Sequence, residues 1–66
     1  MAEEKIKKLV SKLDMLANER AIYQNEVRRC KSEGIKISEC EQAIQSLERN
    51  EELQKEIVKI FMEILK

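Results

Sequence analysis

No histidine, tryptophan or proline occurs in this chain, and glycine occurs once, as Gly34. Each absence removes a class of chemistry. Without histidine there is no imidazole acid–base pair, no serine–histidine–aspartate arrangement and no histidine-held metal. The Glu-x-x-His pattern of di-iron helical bundles is missing for the same reason. A single glycine cannot build a phosphate-cradling loop. The expectation is therefore a chain that is not an enzyme and carries no cofactor.

Other absences bound the setting. No apolar run is long enough to span a bilayer. The first residues, MAEEKIKK, lack the apolar core of a signal peptide. No Asn-x-Ser/Thr acceptor is present. These features suggest cytoplasm or nucleus, with cytoplasm as the working expectation and no membrane partner. The 13 basic and 13 acidic residues cancel. A dedicated nucleic-acid binder usually carries a basic excess, so that class loses weight.

What remains is helical material. Charged residues make up 39% of the 66 and hydrophobic residues 42%, with only Tyr23 and Phe61 aromatic. That mixture suits long helices and is poor for a sheet. In the first arm Ile6, Leu9, Leu13, Leu16, Arg20, Tyr23, Val27 and Cys30 follow alternating steps of three and four. This is a heptad seam, which a strand of period two cannot use. Gly34 fits the left-handed position after a helix end. Ser38 and Glu41 form a Ser-x-x-Glu capping box that predicts a new helix starting at Ser38. The second seam reads Cys40, Ile44, Leu47, then Leu53, Ile57, Ile60, Ile64, with one residue missing between Leu47 and Leu53.

The expected fold is all-α: an antiparallel two-helix hairpin, a coiled coil, with helices over about 3–32 and 38–65 and a turn over about 33–37. All 66 residues form one domain. If facing residue numbers sum to about 70, Ile6 meets Ile64, Leu13 meets Ile57, Tyr23 meets Leu47 and Cys30 meets Cys40. Arg20 interrupts the seam, opposite Asn50 or Glu51. A charge there needs a partner or a route to water. Arg20, Asn50 and Glu51 are read as one polar layer that sets register, with Arg20 paired to Glu51; a recognition site is the alternative.

Two helices share a narrow core, and chains this short often need partners. Apolar residues also exceed one seam. Val10 and Ala17 flank it, Met15 and Ile22 form a second line, and Val58, Phe61, Met62 and Leu65 widen the last turns. The expectation is dimerisation into a four-helix bundle, or docking of another helical protein. The candidate interface residues are Met15, Ile22, Leu53, Ile57, Val58, Phe61, Met62 and Leu65.

Cys30 and Cys40 lack thioredoxin-like spacing. A reduced core pair is expected first, a disulfide second, and a zinc site shared between two copies third. Basic residues gather at both ends: Lys5, Lys8 and Lys12 near the start, Arg28 and Arg29 near the turn. They are candidate nucleic-acid contacts, but interspersed glutamates argue for an ordinary solvated face. A membrane-surface role for IVKIFMEILK is weaker still, since its charges are few and mixed. The sequence thus points to a non-enzymatic interaction or regulatory adaptor module built on a self-associating hairpin. The alternative is a small RNA- or DNA-binding regulator, and a third reading is a structural arm of a larger assembly.

Overall fold

A computed structural model describes residues 2–66. Helix α1 spans Ala2–Ser32, a single 3₁₀ turn spans Ile37–Glu39, and helix α2 spans Glu41–Leu65. The two helices run antiparallel and pack along their length, giving a rod whose Cα extents are 49 × 15 × 12 Å.

Helix α1 contains neither glycine nor proline. Glu3 and Glu4 lie in its first turn and Arg29 and Lys31 in its last, each favourable to the helix dipole. Its end is a Schellman motif. The Ile35 amide donates to the Cys30 carbonyl at 2.9 Å, and the Gly34 amide donates to the Lys31 carbonyl at 3.2 Å. Gly34 takes φ +72°, the left-handed conformation the motif requires. Ile35, just beyond it, packs back onto Cys30, Cys40 and Ala43.

The second helix begins later than the capping box predicts. Ser38 lies inside the 3₁₀ turn, where the Glu39 and Cys40 amides donate to the Lys36 and Ile37 carbonyls at 2.9 and 3.1 Å. Cys40 is the N-cap residue, without a side-chain capping bond. Glu41 is then the first helical residue rather than the third. It faces the positive end of the dipole but cannot close the box with Ser38.

This shift changes the phase of α2. Cys40 has φ −84° and ψ 80°, outside the helical region, so the 3.6-residue period does not include it. The buried or half-buried face of α2 is Ala43, Ser46, Asn50, Leu53, Ile57, Ile60 and Ile64. Its steps alternate three and four throughout, so no residue is missing from the repeat. Ile44 and Leu47, expected in the seam, are exposed. On α1 the inward line is Leu9, Lys12, Leu16, Glu19, Tyr23, Glu26, Val27 and Cys30. Ile6, Leu13 and Arg20, also expected inside, lie outside it. The register moves too. The ion pairs Lys12–Glu56 and Glu19–Arg49 join residues whose numbers sum to 68, not 70.

The polar seam residues are satisfied locally. The Asn50 side-chain amide donates to the Ser46 carbonyl at 2.9 Å, and the Arg49 guanidinium donates to the Ser46 hydroxyl at 3.1 Å. No buried side-chain nitrogen or oxygen among the described residues lacks a partner. The apolar core is thin: Cys30, Cys40, Ala43, Leu53 and Ile60 are the fully buried hydrophobic residues described. Cysteine and alanine at one end let the helices converge there.

Substitution of Gly34 tests the turn. A Cβ at this position meets nothing within 4 Å, so the cost comes from the backbone alone. Gly34→Ala is expected to lower stability by about 1 kcal/mol, measured as a shift of the urea midpoint at unchanged slope.

Candidate interaction surface

The hairpin has two unlike faces, because each helix carries different residues to the left and right of its inward line. On one face Lys12, Glu19, Arg49 and Glu56 line a shallow groove with Met15, Glu51 and Glu52. The Lys12 ammonium lies 2.8 Å from the Glu56 carboxylate, and the Arg49 guanidinium lies 2.9 Å from Glu19. Lys8, Lys59 and Glu63 extend the charged surface toward the open end. Near the turn, Arg29 bridges Glu26 and Glu33, both at 2.9 Å. Lys12 and Arg29 are thus held by acids of their own chain. Lys5, Lys8 and Arg28 are exposed.

The other face is apolar. Arg20, Leu47 and Gln54 share a groove there with Leu16, Tyr23 and Asn50. Residues seven apart on a helix lie on one side. Ile6, Leu13 and Val27 therefore join Arg20, with Val10 beside them, and Phe61 joins Leu47 and Gln54. Val58 and Glu51, with Lys55, border the same side next to Gln54, Glu51 at the edge it shares with the charged groove, and Ile44 and Leu65 continue their line. These apolar side chains are exposed except for half-buried Leu16, Tyr23 and Val27; Val58, Phe61 and Leu65 keep 60%, 50% and 65% of their surface in water. Scattered surface hydrophobes are ordinary; a continuous face of them along a rod is less so.

The residues expected at an interface separate accordingly. Val58, Phe61 and Leu65 border the apolar face, and Met62 is exposed on the outside of α2. Leu53 is buried and Ile57 half-buried inside the hairpin, where they hold the two helices together. Met15 lies in the charged groove and Ile22, seven residues on, follows it. Ile6, Leu13, Ile44 and Leu47, expected in the seam, belong to the exposed surface instead.

The expected polar layer does not form as one unit. Asn50 is buried and bonded to Ser46, whereas Arg20 and Glu51 are exposed. No ion pair joins Arg20 to Glu51, or to another acid among the described residues. The buried Asn50 seat leaves Arg20 on the surface, so it needs no internal counter-charge.

The cysteines, expected first as reduced thiols, are joined by a disulfide, with Cα atoms 6.2 Å apart. They are 1% and 2% exposed and, with Ala43, centre the cluster that receives Tyr23, Val27 and Ile35. Sulfurs bonded to each other offer no thiolate to zinc. No helix is long and apolar enough to cross a membrane.

No family model matches this chain, and no curated protein or solved structure shows significant similarity to it. Its class is defined by geometry: a small all-α helical hairpin, closed covalently at the turn, with one charged face and one apolar face.

Two measurements probe these features. The disulfide closes a loop with a sequence separation of 10. Replacing both cysteines by serine is expected to cost roughly 2–3 kcal/mol from the unfolded-state entropy alone, read by urea unfolding. The second concerns Glu56. Its hydrogen bond to Lys12, and the charge of that ammonium, hold it below the ordinary carboxylate range. A lowered carboxylate stabilises the fold above its unfolded-state pKa, and that contribution fades as pH falls through the lowered value. Lys12→Met should move the Glu56 titration upward, followed by NMR of its carboxyl carbon.

Proposed function

We infer that this hairpin is a non-enzymatic protein–protein interaction module that self-associates through its apolar face into a four-helix bundle. The observation that carries this reading is the exposed apolar side formed by both helices. Burying apolar surface is the principal driving force for association, at roughly 25 cal/mol per Å². The rod offers a footprint of 49 × 15 Å, or about 700 Å², near the roughly 800 Å² per partner of a standard interface. A thin two-helix core gains most from such a partner. Two-fold dimers are the commonest closed assemblies.

As an adaptor, the bundle would hold its apolar faces inside and present the charged faces, bearing Lys12–Glu56 and Glu19–Arg49, to further partners. The RNA- or DNA-binding alternative draws less support, since Lys12 and Arg29 are engaged by glutamates. As for compartment, the disulfide favours oxidising surroundings, whereas the cytoplasm expected from composition keeps accessible thiols reduced. Burial of both sulfurs limits the access of a reductant.

Light scattering tests the self-association. Native chain is expected to have twice the monomer mass at micromolar concentration. Phe61→Glu is expected to weaken the dimer at least tenfold, since an unpaired charge would be buried. Met15→Glu, on the charged face, should leave it intact. A folded native chain that stays monomeric at high micromolar concentration would refute the reading.

A further inference from the structure

Each helix contributes to the apolar face a line interrupted by one charge. On α1 the line Ile6, Leu13, Arg20, Val27 contains one base, and on α2 the line Ile44, Glu51, Val58, Leu65 contains one acid. Both charges are exposed and they do not pair within the chain. Resting on the self-association inferred above, we propose that the second copy lies with its turn at the same end, so that Arg20 of each chain pairs with Glu51 of the other.

Two arrangements bring identical apolar faces together about a two-fold axis. In one the axis runs along the rod. The turns then share an end, and α1 of one copy lies on α2 of the other. In the other the axis crosses the rod. The turns then point apart, and each helix lies on its own counterpart.

Charge separates the two. In the crossed arrangement α1 meets α1. Between Ile6 and Val27 its two lines on this face hold only apolar residues, Gln24 and Arg20 itself. Arg20 would find no acid there. It lies three residues from the middle of Ala2–Ser32, so the two guanidinium groups would approach within about 9 Å along the axis. Covering an unpaired cation with apolar side chains is costly.

With the turns at one end, α1 meets α2 in the register that the ion pairs set within each hairpin. Arg20 is then level with position 48, and Glu51 lies three residues away, about 4.5 Å along the axis. An extended arginine side chain spans that offset. The apolar ends also match: Ile6 and Leu13 meet Val58 and Phe61, while Val27 meets Ile44. A polar pair in the middle of an apolar seam is a known device for choosing orientation.

The test is a charge exchange read by sedimentation equilibrium. Native chain is measured first, and a monomer there would overturn the self-association itself, and this proposal with it. Given a native dimer, Arg20→Glu and Glu51→Arg should each weaken self-association by ten- to hundredfold, because each places two like-charged pairs in the interface. An equimolar mixture of the two variants should recover dimer, since both pairs are then complementary across chains. Circular dichroism of each variant confirms that it is folded. Single variants that dimerise with native affinity, or a mixture no tighter than its components, would overturn the orientation. As an independent readout, isotope-mixed native chains treated with a short amine cross-linker should join Lys36 to Lys36. With the turns apart, nearly the 49 Å length of the rod separates those residues, and no such product forms.

Discussion

The covalent bond between Cys30 and Cys40 is the constraint on which the rest of the arrangement depends. It ties the last turn of α1 to the residue that opens α2. The Schellman turn at Gly34 aims the chain back, and Ile35 fills the space beneath the bond. Once Cys40 is held there in a non-helical conformation, α2 starts at Glu41. Every later residue of α2 then has a fixed angular position relative to α1. The inward line runs from Ala43 to Ile64 and takes in the small polar residues Ser46 and Asn50 beside Leu53, Ile57, Ile60 and Ile64.

That phase decides which surface is left over. Ser46 and Asn50 point inward, small enough for close packing and supplied with hydrogen bonds from their own helix turn. Ile44 and Leu47 consequently turn outward, beside Val58, Phe61 and Leu65. The acids and bases collect on the opposite side, where Lys12–Glu56 and Glu19–Arg49 bridge the helices. Exposed pairs of this kind add little stability. Their greater consequence is register, since each joins one residue of α1 to one of α2. A hairpin sorted in this way has one side compatible with water and one that gains from being covered.

Much of the fold was legible from residue spacing. The absence of proline and the heptads of both arms announced two long helices, and Gly34 announced the turn. The errors on α2 came from one residue. Counting the second heptad from Cys40 placed it in the helix, when it caps the helix. The apparent missing residue between Leu47 and Leu53 followed from that; Arg20 was placed inside separately, by the three–four steps of the first arm. Asn50 was expected in the seam and is buried there, whereas Ser46 was overlooked because a pattern of hydrophobic residues does not register small polar ones. The one available signal was the unbroken three–four spacing from Ala43 to Ile64.

By itself, then, the sequence determined two helices, their antiparallel pairing and the surplus of apolar residues, because helix period and turn chemistry are local properties of the chain. It also placed both cysteines at the turn. Only the tertiary structure decided which side of each helix turns inward. That choice depends on where α2 is anchored, and a rotation of one residue, about 100°, exchanges core for surface. The division into a charged and an apolar face, and the exposure of Arg20 and Glu51, follow from how each helix is turned about its axis.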